Sequence, residues 1–479
     1  MNTIAQYPLY LASKAVDTSQ RLDVDDKYAQ QVFAQVSLAD ESLVEKAIAA
    51  AVQAESAMAK LKPFQKQAIL LHCVEQFKKR REELTEVLIL EGGKPRKAAQ
   101  GEVERLINTF QLAADATTQL AQGDVMPLAV TPASAHYRGL VQHVPIGALA
   151  LISPFNFPLN LTAHKIAPAI VAGCPFVLKP ASLTPIGALI IGEILAETDL
   201  PEGAFSILPS TRDAADQLVT DDRLKLLSFT GSDHVGWDMK ARAGRKKVTL
   251  ELGGNAAVMI EPDTVIDDAL IDRLITGGYA HAGQVCISVQ RVLIHQDIYA
   301  ELKNKLVEKL RNVKAQDPKQ DDTIVGPMIK HKEAKRLKQW LDEATGKGAT
   351  LLSGGSLDGV LFEPSLLEGV SPDCQIYKDE AFGPVMILEP YLDFTAGIEK
   401  INSSRFGLQA GVYTQNLNKM MQAWDELHVG GVIINDVPTF RVDNMPYGGV
   451  KDSGLGREGI QSAIADMQEP RLLVIKQPN

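Results

Sequence analysis

An alternation constrains this chain more than any other feature. Between residues 147 and 260, short apolar runs, "GALALIS", "PFVLKP", "AFSILP", "LKLLSFTG" and "KVTLELGG", take turns with helix-like stretches such as "LTAHKIAPAIVAG" and "PIGALIIGEILAETD". Continuous apolar runs of this kind mark strands covered on both faces, and their alternation with helices marks βαβ units around a parallel sheet. Such a sheet binds its ligands beyond the carboxyl ends of its strands. A second block of the same texture runs from about 290 to 437, with "QRVLIH", "DIYAELKNKLVEKLRNV", "ATLLSGG", "GPVMILEPY", "LNKMMQAWDEL" and "GGVIINDV". At 479 residues the chain is too long for one ordinary core, so two α/β domains are expected.

Ahead of the first block, Leu43, Val44, Ala47, Ile48, Ala51 and Val52 share one helical stripe behind a capping Asp40, and a second helix follows Pro63. The run "KKRREE" at 78–83 reads as a solvated face. Between the blocks, "LAVTPASAHYRGLVQHVP" at 128–145 reads as paired strands with no helix to cover them. It makes sense as an arm packing on another subunit, with the apolar C-terminal stretch "PRLLVIKQ" as its edge partner.

A formal charge of −10 argues against nucleic acid, whose binders carry a basic face. No uncharged apolar run is long enough to span a membrane. The first twenty residues lack the pattern of a secretory signal. Cys73, Cys174, Cys286 and Cys374 lie far apart, with no C-x-x-C and no nearby histidine pair, so neither disulfides nor a metal site is expected. These features point to a cytoplasmic protein with reduced thiols.

Four short stretches sit at strand ends or turns. In "ISPFNFP" two prolines stiffen the turn that presents Asn156, although asparagine and proline are common in any turn. In "LELGG" a strand runs through Glu251 into a glycine pair, and a carboxylate in an apolar run is costly unless paired or needed with a raised pKa. Cys286 follows "GQV"; a lone cysteine is more often a small core residue than a nucleophile. In "DEAFGPV", Glu380 and Phe382 precede a strand.

Together and in this order, these stretches resemble the aldehyde dehydrogenase superfamily, from about residue 20 to the C-terminus. "FTGSDHVG", "VTLELGGNAAVMI", "GQVCIS", "EAFGPV" and "MPYGGVKDSGLGREG" carry the likeness, with Glu251 and Cys286 at the family's interval. Two departures stand out: Phe155 replaces a common tryptophan before the asparagine, and "STRDAADQ" replaces a glycine-rich turn after "SILP". The resemblance implies an α/β fold of two doubly wound domains with a small β oligomerisation arm. The NAD(P)-binding domain would comprise 1–123 and 146–251, the catalytic domain 252–462, and the arm 124–145 with 463–479. A homodimer or homotetramer is implied.

The resemblance makes Cys286 the nucleophile, with Asn156 and the Cys286 backbone N–H holding the oxyanion. Glu251 is then the base that hydrolyses the thioester, and its presence favours a free acid over transfer to coenzyme A. Cofactor contacts are implied for Ile152, Ser153, Phe155, Lys179, Ser182, Gly231, Ser232, Glu380 and Phe382, with Ser232 opening a helix whose N-terminus faces the pyrophosphate. Relatives that prefer NAD often carry glutamate where Ser182 stands; a serine removes the repulsion of a 2′-phosphate, so both NAD and NADP are candidates. "NDVPTFRVDNMPYGG" places Arg441 in the loop that lines the family's substrate tunnel, and Arg105 lies on a bordering helix. Guanidinium forks match carboxylate, phosphate or sulfonate, which points to a small polar or anionic aldehyde. The plainer reading pairs these arginines with Asp443, Glu102 or Glu104 for structure. Competing functions are a coenzyme A-acylating semialdehyde dehydrogenase, a thiol hydrolase working through Cys286, and a catalytically silent homologue.

Overall fold

The five apolar runs of the first block all form strands in the computed structural model, which describes residues 4–119 and 123–478. Lys247–Glu251, Leu226–Thr230, Leu149–Ile152, Phe176–Lys179 and Phe205–Ile207 lie side by side and parallel, in that order. The chain enters at Leu149–Ile152, steps outward through Phe176–Lys179 and Phe205–Ile207, then crosses to Leu226–Thr230 on the other side. That reversal is the switch point at which open α/β sheets open a crevice. Gly454–Leu455 pairs antiparallel at one edge, and Leu9–Leu11 and Lys14–Val16 extend the other. These N-terminal strands have three residues each, too few to show a period of two in the sequence.

The second block builds a seven-stranded sheet, in the order Thr350–Ser353, Ser365–Glu368, Val385–Tyr391, Arg291–His295, Ala257–Ile260, Gln409–Tyr413 and Gly431–Ile434. All of its pairings are parallel except that of Thr350–Ser353. The fold class expected from the sequence is therefore the one found.

Helices cover the first sheet. Asp40 caps Glu41–Lys60 by accepting the Leu43 N–H at 2.9 Å, satisfying one of the donors a helix start leaves open. Asn160–Ala172 is buried along its whole length. It packs with Pro63–Lys79 and Arg96–Gln119, where Phe77 and Phe110 meet edge to face at 4.9 Å.

The uncovered strands also form. Tyr137–Pro145 lies between Asp124–Pro127 and Gln468–Lys476, antiparallel to both. No helix of the described residues is long and apolar enough to cross a membrane.

Candidate active site

The first sheet contributes the carboxyl ends of its strands, and the second the loops that precede its strands. Asn156 follows Leu149–Ile152 and is 4% exposed. Its Nδ2 donates to the Gln284 carbonyl at 3.0 Å, tying it to the loop that carries Cys286. Its own carbonyl accepts from Lys94 Nζ at 2.7 Å. Lys94 in turn pairs with Glu102, both fully buried, and Glu102 Oε1 accepts the N–H groups of Leu159 and Asn160 at 2.9 and 3.1 Å. One buried ion pair thus fixes both ends of the turn that presents Asn156.

The cysteine loop is held just as firmly. His281 and Ala282 enter it with φ of 53° and 54°, a region that non-glycine residues seldom occupy. Gln284 accepts the Ile329 N–H at 2.8 Å and donates to the Pro327 carbonyl at 3.3 Å. A side chain at Gly254 would bring its Cβ within 2.3 Å of the Cys286 carbonyl oxygen, which explains the second glycine of "LELGG". Cys286 Sγ lies 3.0 Å from the Tyr447 hydroxyl. Burial pushes the thiol up to about 12; Glu380 and Glu251 act in the same direction, against Tyr447 and Arg441. Burial thus favours the thiol over the thiolate.

Glu251 ends its strand with neither carboxylate oxygen hydrogen-bonded to a protein group. Burial, then the neighbouring Glu458, hold it well above the usual carboxylate range, against Arg441, Lys165 and Arg457. Glu458 goes the other way, down to about 2: burial opposes its charge, but Lys165 at 3.0 Å and Arg441 at 3.2 Å outweigh it. The two carboxyls are thus pushed in opposite directions, with ionisation favoured on Glu458 over Glu251.

Ile152, Ser153, Phe155, Asn156, Gly231, Ser232, Glu251, Cys286, Glu380 and Phe382 line one cleft of about 720 Å³. Phe382 adopts φ of 44°, an outlier for a bulky residue, and meets Phe155 edge to face at 5.7 Å. Glu380 accepts the Gly254 N–H at 2.9 Å and is pushed up to about 8 by burial. A second cavity of about 630 Å³ shares Ile152, Phe229 and His234 with the first and holds Lys179, Ser182 and Arg212. Among the described residues Lys179 Nζ donates only to the Pro180 carbonyl, at 3.3 Å, and burial followed by Arg212 lowers it to about 8. These cavities fit an elongated anionic dinucleotide. They hold a buried, partnerless Ser153 hydroxyl, two cations set close together, and the N-terminus of Asp233–Arg242 opened by Ser232.

Arg105 and Arg441 line neither cavity. Arg105 forks onto Asp443 at 2.7 and 3.1 Å. Arg441 lies 3.7 Å from the centre of the Tyr447 ring, bonded to Glu458, with its Nε buried and unpartnered. Arg212 and Tyr447 escape a reading by motif. Arg212 stands in the "STRDAADQ" departure, whose only signal is a cation where glycines are usual. Tyr447 is hidden inside a family-like glycine motif.

A sequence model described as the aldehyde dehydrogenase family matches residues 15–473. A 3-sulfolactaldehyde dehydrogenase of Priestia megaterium is 38% identical over 478 residues, 99% of each chain. The crystal structure of aldehyde dehydrogenase 21 from Physcomitrella patens, in complex with its reaction product succinate, is 46% identical with a TM-score of 0.97, covering 99% of each chain. A glyceraldehyde-3-phosphate dehydrogenase of Methanocaldococcus jannaschii complexed with NADP is 34% identical, with a TM-score of 0.91, over 96% of this chain and 100% of that one.

Proposed function

The chain belongs to the aldehyde dehydrogenase family, and from that premise we propose that it oxidises a short aldehyde with an anionic far end, and that it accepts NADP. A nicotinamide-dependent oxidation of an aldehyde to its acid is the family-level activity. The roles of the residues, the anionic substrate and the finer cofactor preference are the proposal. The observation that carries it is the convergence of Cys286, Asn156 and Glu251 on one cleft.

As a thiolate, Cys286 attacks the carbonyl carbon; a C–S bond forms and the carbonyl π pair moves onto oxygen. The Asn156 amide and the Cys286 backbone N–H hold that oxyanion, where losing one donor typically costs roughly 2.7–4 kcal/mol. A nicotinamide cofactor bound in the cleft supplies the acceptor for the hydride. Cys286 is then left as a thioester. Glu251 takes a proton from the water that attacks it, the C–S bond breaks, and the free acid departs. Ile152, Ser153, Phe155, Gly231, Ser232, Glu380 and Phe382 hold the cofactor on the cleft side, and Lys179 and Ser182 on the adenosine side.

For the substrate, the support is Arg441, one ring away from the sulfur and with an unused buried N–H. The named relatives act on a sulfonated aldehyde, release a dicarboxylate, or act on a phosphorylated aldehyde, all anions that a guanidinium fork matches. For NADP, the support is the cation pair Lys179 and Arg212 beside Ser182. Of the carboxylates around that cavity, Asp216 and Asp238 are already paired with Arg242. The division into a cofactor domain (1–123 and 146–251), a catalytic domain (252–462) and an oligomerisation arm (124–145 and 463–479) belongs to the same reading, as does a reducing cytoplasm for four unpaired cysteines.

The test compares kcat/KM for succinic semialdehyde and for uncharged butanal, with NADP and NAD, in the wild type, Arg441→Ala and Ser182→Glu. The expected result is a preference for the anionic aldehyde that Arg441→Ala cuts about 10- to 100-fold, mostly through KM, with butanal little changed. Ser182→Glu should shift preference to NAD. Equal losses on both aldehydes, or a wild type that rejects NADP, would refute these parts of the reading.

A further inference from the structure

Cys286 has a contact that the mechanism above leaves idle. Its sulfur lies 3.0 Å from the Tyr447 hydroxyl, and Tyr447 has almost no freedom to be elsewhere. The side chain is 3% exposed. Its backbone exchanges two hydrogen bonds with Glu458, at 3.0 and 2.6 Å. The Arg441 guanidinium covers its ring at 3.7 Å and is itself bonded to Glu458 at 3.2 Å. Backbone and ring are therefore locked to one partner, and only the O–H torsion remains free.

We propose that the Tyr447 hydroxyl donates to the Cys286 thiolate and so sets the fraction of enzyme ready to attack, a role that rests on reading Cys286 as the nucleophile. While the sulfur is a thiol, either group can donate and the bond is weak. Once the sulfur is a thiolate, only the O–H can donate, and a charge-assisted bond is about twice as strong as a neutral one. The contact therefore favours the anion. Burial, and Cys286 beside it, hold the Tyr447 phenol well above its ordinary pKa, so it keeps its proton as a donor. The other titratable groups facing the sulfur are Glu380 and Glu251, which oppose a thiolate when ionised, and Arg441, which favours it. Arg441 acts across the ring, with its charge answered by Glu458. A cation on the ring face also draws electron density from the phenol and strengthens its O–H as a donor. Among the described residues Tyr447 is the side chain that bonds directly to Sγ.

Phenylalanine would keep the ring, the packing and the stacked arginine while removing the hydroxyl. The experiment follows iodoacetamide alkylation between pH 7 and 10 in the wild type and Tyr447→Phe, maps the modified peptide to Cys286, and records loss of activity in parallel. Quenching of protein fluorescence by NADP serves as the check on folding. The expected result is unchanged cofactor binding with the rising limb of the alkylation profile displaced by about one pH unit to higher pH. At a fixed pH the rate falls about three- to tenfold, since a more basic thiolate is also somewhat more nucleophilic. If the phenylalanine variant does not fold, replacing Tyr447 with 3-fluorotyrosine keeps the hydroxyl and makes it a stronger donor, and the limb should move to lower pH. Superimposable profiles, or a fluorotyrosine shift to higher pH, would overturn the proposal. Alkylation of Cys286 with no loss of activity would overturn it from the other side, by removing the nucleophile assignment.

Discussion

Burial raises the pKa of both Cys286 and Glu251, and the mechanism proposed above needs each of them ionised in turn. For Glu251 this sets the sign of two effects. Its folded pKa is raised, so the basic form grows as pH rises, and a deacylation-limited kcat should keep climbing with pH above the ordinary carboxylate range. The same shift makes the folded state bind more protons than the unfolded one above the ordinary carboxylate range, so the residue costs stability there. Glu251→Gln should therefore give a burst of reduced cofactor stoichiometric with active sites, followed by a steady state slower by about 10²- to 10⁴-fold and nearly flat with pH. It should also raise the apparent melting temperature at pH 7. Stopped-flow absorbance and a thermal scan measure both; an unchanged steady-state rate would move the base to another residue.

At the scale of elements, Asp443 is a junction. Its carboxylate accepts from Arg105 at 2.7 Å and Asn108 at 3.4 Å on the helix Arg96–Gln119, and from Asn160 and His164, both at 3.0 Å, on Asn160–Ala172. It thereby fixes the loop that also carries Arg441 and Tyr447. Burial works against its charge, but His164 and Arg105 hold it well below the usual carboxylate range. A depressed folded pKa means stability that is present above the unfolded value of about 3.9 and lost as pH falls toward the folded one. Asp443→Asn should lower the urea midpoint at pH 7 by the equivalent of about 2–4 kcal/mol, and the two proteins should converge as pH drops below about 4. Parallel midpoints at both pH values would contradict this. The junction also shows what a sequence hides. The strands are legible because each is a continuous apolar run punctuated by proline or glycine. Cys286, Asn156 and Glu251 are legible as candidates because the motifs around them resemble the family's in order and interval. The partners of Asp443 stand 279 to 338 positions away, and Arg105 reads equally well as a substrate ligand until that pairing is seen. Lys94, between Gly93 and Pro95, and Glu102, on the helix Arg96–Gln119, are charges of the kind a surface usually carries, yet both are buried. The Tyr447 hydroxyl reaches its sulfur across 161 positions, a contact that no local pattern announces.

At the scale of the whole molecule, the arm is the part that makes no sense alone. Gln468–Lys476 pairs with Tyr137–Pro145 along one side only, and it forms the edge of a three-stranded sheet. Leu472, Leu473, Val474 and Ile475 are 45–55% exposed, so both faces of that edge are apolar where soluble proteins usually place charge or proline. Leu140, Val125 and Met126 extend the apolar surface across the neighbouring strands. Burying such half-exposed aliphatic side chains contributes about 1 kcal/mol each, and pairing the open edge satisfies its unmet backbone donors and acceptors. A second copy of this chain, presenting the same edge across a two-fold axis, would supply both at once. Replacing Leu473 and Ile475, which share one face of the strand, with lysine puts two positive charges per copy on the edge that would pair. The double variant should sediment as a smaller species than the wild type at the same concentration while still binding its nicotinamide cofactor, because the arm lies outside both cavities. An unchanged sedimentation coefficient would mean that the arm does not hold the subunits together.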